Sequence, residues 1–256
     1  MTCYAVHLGD CAGGFSKEHY VSESVLEIAG TAIQVTGYPW QRSGETAQIG
    51  AASLAAKILC KRHNEQLSPL DSVAKVFLSG LKSSFQEASE NRLSNSTYQT
   101  SGCSFELWLL KVLCGLLPLC KVAVPHTWVD ILFQREPWPA GAGLHIFGAP
   151  GAASWYFTLV RIISVTTTED PSRIAGAKFG IGGLALLLAF GTPRFTEPGM
   201  QALYRPASLL IERDGKQNQH VLSWDDHGAH GAMTLRVTGA TASPTEGPRP
   251  IVTPVG

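Results

Sequence analysis

The chain has 256 residues, 20 basic and 20 acidic side chains, 45% hydrophobic residues and only 16% charged ones, with no formal net charge. Such a length allows one large domain or two small ones, and the apolar share is ample for a core. Ten residues of each sign precede Pro125 and ten follow it, so neither half carries the basic block that advertises a nucleic-acid binder, although a local groove can still be basic.

Residues 3–8 (CYAVHL) alternate like a strand and run into Gly9-Asp10-Cys11-Ala12-Gly13-Gly14, a turn that would set Asp10 at a strand end. Residues 24–29 and 31–38 read as two further short strands separated by Gly30. Residues 43–61 read as a helix, because Ile49, Ala52, Ala56, Leu59 and Cys60 recur at three- and four-residue intervals. Gln48 belongs to this stretch. Ser68-Pro69-Leu70-Asp71 has the pattern of a helix start, with serine as cap, proline in the first turn and Asp71 at the capping-box position.

Residues 91–104, rich in Ser, Thr and Asn, read as a surface loop. Residues 105–117 read as a buried helix ended by Pro118, and 120–124 as a strand leading to His126 and Asp130. Pro137 to Gly143 reads as a linker. Beyond it, residues 154–168, 207–212, 220–224 and 232–238 read as strands, with Arg213-Asp214-Gly215-Lys216 as a hairpin turn. The Pro-, Thr- and Gly-rich residues 241–256 read as a disordered tail.

Cys3, Cys11, Cys60, Cys103, Cys114 and Cys120 all fall in the first half, and no two stand in a Cys-x-x-Cys pair, so their spacing supplies no zinc pattern. Cys60 and Cys114 read as core thiols on helical apolar faces. Without a basic-then-apolar N-terminus, reduced thiols in an intracellular protein are expected. Two apolar runs read as core, and no membrane partner is expected. Residues 105–124 are broken by Glu106, Lys111, Pro118 and Lys121, while 181–190 reach only half of the roughly 20 residues that a span requires.

Four stretches resemble the ribonuclease H fold, especially the type 1 ribonuclease H domains carried by retroelements. They are Leu8 to Gly14, Thr46-Ala47-Gln48-Ile49-Gly50-Ala51, Leu70-Asp71-Ser72, and Glu106-Leu107-Trp108 with Trp128-Val129 after it. The resemblance covers about half of the chain. It implies an α/β fold class: a ribonuclease H-like mixed sheet with flanking helices over residues 1–140, then a β-rich C-terminal region over 141–240. It also implies Mg²⁺ or Mn²⁺ on the carboxylates Asp10 and Asp71, with RNA–DNA hybrid as the partner and its RNA strand as substrate. Two such ions about 4 Å apart prepare a water and stabilise the leaving oxygen. Gln48 stands where the family places a glutamate, and Asp130 is the acid nearest to the family's last aspartate. A weakened endonuclease with Asp10, Gln48, Asp71 and Asp130 at its site is the expectation.

Two other readings stand beside it. Low charge, neutral halves and a β-rich second half suit a non-catalytic, self-assembling coat or shell protein. Asp225-Asp226-His227-Gly228-Ala229-His230 reads as a polar turn between strands, or as the metal site of a hydrolase using His227 and His230.

Overall fold

A computed structural model describes residues 2–29, 33–36, 45–49, 54–148, 161–166, 174–181, 184–191, 201–226 and 230–237. The architecture is mixed α/β, with the helices in the first half and most strands in the second. The N-terminal segment makes a turn and a single 3₁₀ turn at Val6–Leu8, where alternation suggests a strand. β1 (Phe15–His19) follows, then α1 (Glu23–Ala29). β2 (Ile33–Thr36) and β3 (Thr46–Ile49) form an antiparallel pair, and β4 (Ala55–Cys60) returns to pair with β1.

Two further expected elements change type. Residues 24–29 are helical, and the expected helix over 43–61 is replaced by β3 and β4, with 50–53 outside the described residues. An alanine-rich stretch fits a helical period and a short strand alike. Pairing with β1, which sets Phe15 opposite Cys60 and His19 opposite Ala55, decides it here.

α2 (Lys61–Ser89) runs for 29 residues and starts seven residues before the Ser68-Pro69 signal. Pro69 lies inside it. The missing proline N–H would have bonded the Glu65 carbonyl, and Ser68 Oγ donates to that carbonyl at 3.1 Å instead. The helix buries Leu67, Leu70, Ala74, Phe77, Leu78, Leu81, Phe85 and Ala88, a stripe at three- and four-residue spacing.

β5 (Thr97–Ser101) lies where a loop is expected. α3 (Gly102–Leu116) starts at Ser101, whose Oγ accepts from the Ser104 N–H at 3.1 Å. It is buried along nearly its whole length, and Phe77 of α2 meets Phe105 at 4.5 Å between ring centroids. Residues 122–125 have no regular structure, and α4 (His126–Leu132) takes the place of the expected strand end.

The second half contributes β6 (Gly143–Gly148), β7 (Arg161–Thr166), β8 (Ile174–Ile181), β9 (Leu184–Ala189), β10 (Gln201–Tyr204), β11 (Ser208–Arg213), β12 (Lys216–Ser223) and β13 (Ala232–Arg236). The first five form an antiparallel sheet in the order β10-β6-β9-β8-β7. The apolar run at 181–190 is mostly β9, a strand buried on one face and, apart from the exposed Ala185, on the other. Leu184, Leu186 and Leu188 join the main core, while Leu187 and Ala189 pack with Phe147 in a smaller cluster.

The other sheet has the order β13-β11-β12-β5, with parallel pairs at both ends and the Asp214-Gly215 hairpin turn, both residues at positive φ, in its middle. β12 thus takes a first-half strand as its neighbour. One core cluster runs from Cys3 to Leu235, so the expected boundary at residue 140 is crossed by both pairing and packing. Residues 154–160 and 241–256 lie outside the described residues. No described helix is long and apolar enough to cross a membrane.

Candidate metal centre

The start of α2 is fixed by the glycine-bearing loop before β1. The Lys61 N–H donates to Gly14 O at 2.8 Å and the Arg62 N–H to Ala12 O at 3.3 Å, which occupies two of the four N–H groups that a helix leaves free at its start. Gly9, Gly13 and Gly14 all have positive φ, and a Cβ at Gly13 would stand 3.0 Å from the Lys61 side chain. The loop thereby folds Cys11 back over the β4–α2 junction. On the other side, the Tyr4 N–H donates to Ile58 O at 3.1 Å and brings Cys3 to the same place, where the Cys60 N–H meets Cys3 Sγ at 3.4 Å.

These contacts gather Cys3, Cys11, Cys60 and His63, whose ligand atoms all lie within 4.8 Å of one another. His63 Nδ1 is 3.4 Å from Cys3 Sγ, 3.7 Å from Cys11 Sγ and 3.2 Å from Cys60 Sγ. A tetrahedral zinc ion with ordinary Zn–S and Zn–N bonds has S···N edges of about 3.5 Å. The donor set fits that ion. Cys3, Cys60 and His63 are buried, and Cys11 is exposed.

His63 Nε2 donates to Asp10 Oδ1 at 2.7 Å, which leaves the Nδ1 lone pair facing the three sulfurs. Arg62 lies 3.0 Å from the other Asp10 oxygen, Arg135 lies 3.8 Å from Oδ1, and the Phe133 ring meets the imidazole edge-on at 5.1 Å. The His63 hydrogen bond, helped by the Arg62 and Arg135 charges, holds the Asp10 carboxyl below its usual range against partial desolvation. Burial works against ionisation of Cys60, yet the His63 and Ala12 N–H groups and the Cys11 and Cys3 side chains together outweigh it, and the thiol sits below its ordinary value. Partial desolvation, followed by the neighbouring Cys3 and Cys60, pushes the Cys11 thiol up to about 12. Three thiolates in one space repel one another, and a cation among them removes that cost.

The four residues named by the nuclease expectation have separate surroundings. Asp10 orients His63. Asp71 accepts from Lys111 Nζ at 2.7 and 2.9 Å and from Ser22 Oγ, in a cluster where Lys111 also meets Glu18 at 2.7 Å and Trp108 Nε1 donates to Ser22 Oγ at 2.7 Å. Burial pushes the Glu18 carboxyl up, and the Lys111 ammonium opposes it. Asp130 pairs with His7 Nε2 at 3.0 Å, and the His7 and His126 rings stack at 4.0 Å. Gln48 lies on β3 opposite Gln34, and its side chain is outside the described residues. In the other expected cluster, His230 Nε2 contacts Asp226, whose second oxygen accepts from Arg205 NH1 at 2.6 Å, while His227 lies outside the described residues. Glu106 is buried and takes both Arg205 and the Leu144 N–H.

Of the metal donors, the sequence offers His63 only as a cation suited to the C-terminal end of the expected helix over 43–61. A search for Cys-x-x-Cys passes over Cys60-Lys61-Arg62-His63, which is half of a zinc pattern with histidine as its second donor. Cys3 and Cys11, eight positions apart around a glycine loop, supply the other half. Comparison with protein-family models, with curated proteins and with solved structures finds no match to this chain.

Proposed function

We propose that the chain is a zinc-binding protein whose Cys3-Cys11-Cys60-His63 site serves structure rather than catalysis. The carrying observation is the convergence of three Sγ atoms and His63 Nδ1 within 4.8 Å, with Asp10 fixing the imidazole from behind. Soft thiolates and imidazole select zinc over the hard Mg²⁺ or Mn²⁺ that the carboxylate reading calls for. Four protein donors fill a tetrahedron and leave no place for substrate or water, which is the mark of a structural zinc. The ion would tie residues 3–11 to the end of β4 and the start of α2.

Metal analysis of protein purified under reducing conditions tests this. One zinc per chain is expected, and cobalt in its place should give tetrahedral d–d bands with thiolate charge transfer. Absence of zinc, or full retention in Cys60→Ser, would sink the reading.

A nucleic-acid partner is a second reading with its own support. Lys17 and Lys57 are exposed on β1 and β4, with the exposed Phe15 on the same strand pair. Cations beside an open aromatic ring suit a phosphate backbone with stacked bases. Salt-dependent anisotropy of a labelled RNA–DNA hybrid, weakened by Lys17→Glu with Lys57→Glu, is the expected result. The ribonuclease H-like reading adds cleavage to binding, with Mg²⁺ on Asp10 and Asp71. The separate engagement of Asp10 by His63 and of Asp71 by Lys111 supports it less well than the zinc reading. Mg²⁺-dependent hybrid cleavage abolished by Asp71→Asn would restore it.

A further inference from the structure

We propose that Cys11 is a site of reversible oxidation by hydroperoxides, and that the Cys3–Cys11 disulfide it forms expels the zinc. The inference rests on the zinc reading above. Of the four donors, Cys11 alone is exposed, while Cys3, Cys60 and His63 are 4%, 5% and 0% accessible. A solvent-borne oxidant therefore meets Cys11 first. Metal-bound thiolates keep nucleophilic sulfur, and exposure sets which of them reacts.

The sulfur that resolves the oxidised Cys11 is set by backbone. Cys60 is the last residue of β4 and the cap of α2, paired to Phe15 and fixed from both sides. Cys3 lies on irregular backbone, and Cys11 lies in the loop of positive-φ glycines, so these two can close to a disulfide without disturbing the strand or the helix.

The chemistry balances with one hydroperoxide. Cys11 Sγ attacks a peroxide oxygen, an S–O bond forms as the O–O bond breaks, and the departing hydroxide takes a proton to become water. Cys3 Sγ then attacks Cys11 Sγ, the S–S bond forms, the S–O bond breaks, and a second hydroxide leaves as water. Two thiolates give up two electrons, and one hydrogen peroxide becomes two waters. Cys60 and His63 remain, two donors where zinc requires four. Loss of the ion loosens residues 3–11 at the β4–α2 junction, and a dithiol reductant with zinc restores the tie.

The experiment titrates the zinc-loaded full chain with hydrogen peroxide, follows zinc with a chromogenic chelator and maps disulfides by mass spectrometry. One zinc released per peroxide consumed, a Cys3–Cys11 linked peptide, dimedone trapping of sulfenate at Cys11 and reversal by dithiothreitol are expected. Cys11→His keeps a fourth donor and removes the thiol, so it should still bind zinc and release it at least tenfold more slowly. If that variant fails to bind zinc, the wild-type trapping and disulfide map decide. Zinc loss with Cys11 unmodified, a Cys3–Cys60 disulfide, or equal release from Cys11→His would overturn the proposal. A chain that never held zinc overturns the zinc reading instead, and a loaded chain that keeps its zinc under peroxide overturns only this one.

Discussion

The clusters around His63 and Lys111 are both polar islands in an apolar interior, yet they are balanced differently. At Lys111 the chain supplies its own counter-charge, since one ammonium 4% accessible lies between Glu18 and Asp71. At His63 three sulfurs converge, and the nearby cations Arg62 and Arg135 are spent on the Asp10 carboxylate behind the ring. A buried cluster that carries its own cation is a structural device. A cluster of donors short of a cation points to an ion from outside.

The contrast can be broken from either side. Zinc removal by a chelator should have the largest effect, because structural zinc contributes on the order of 10 kcal/mol in small zinc-dependent folds. Here a large core remains, so the outcome is a lower unfolding midpoint and rapid proteolysis within residues 2–14 rather than complete unfolding. Chelation should leave the Lys111 cluster intact. Lys111→Met should cost about 3–5 kcal/mol in denaturant unfolding, because it strands two carboxylates. Adding Glu18→Gln and Asp71→Asn should recover much of that loss, a rescue with no counterpart at the zinc site.

A third buried group responds to pH. Burial, only weakly opposed by Glu87, pushes His220 down to about 4, and its Nε2 lies 2.9 Å from Ser84 Oγ. Between the unfolded value of about 6.5 and the folded one, the unfolded chain binds a proton that the folded chain refuses. Stability therefore falls as pH drops through that window, by up to about 3 kcal/mol, and His220→Gln should flatten the urea midpoint between pH 7 and pH 4.5. Asp10→Asn should weaken zinc affinity roughly 10- to 100-fold by freeing the imidazole, measured by competition with a calibrated chelator. The smallest change belongs to Glu65→Ala, since the exposed Lys61–Glu65 pair at 3.8 Å is worth under about 0.5 kcal/mol.

What was legible in the sequence follows how locally each feature is determined. α3, the stripe of α2 after Leu70, the Asp214-Gly215 turn and β11 to β13 are written in periodicity and turn chemistry. β4 reads as helix because its alanines fit either period and its partner strand lies some forty residues earlier, between Phe15 and His19. β5 reads as a loop because its Ser and Thr side chains say little until β12 arrives beside it. The expected carboxylate site drew on order along the chain, whereas the structure gives Asp10, Asp71 and Asp130 different partners. The thiol and imidazole donors were in plain view. Their convergence depends on a glycine loop folding back over a helix start, which no spacing rule encodes.

The parallel pairing of β5 with β12 sets an order of assembly. Ser96 donates its N–H to Asn218, 122 positions along the chain. Every donor of the metal centre, by contrast, has been synthesised once residue 63 emerges. On the zinc reading, the segment from Cys3 to His63 can close on its ion during synthesis while β5 still lacks its neighbour. Such long-range pairing is slow to form and leaves strand edges open meanwhile. Refolding should accordingly show early protection around His63 and late protection in β5, with metal supply setting the first phase and chain closure the second.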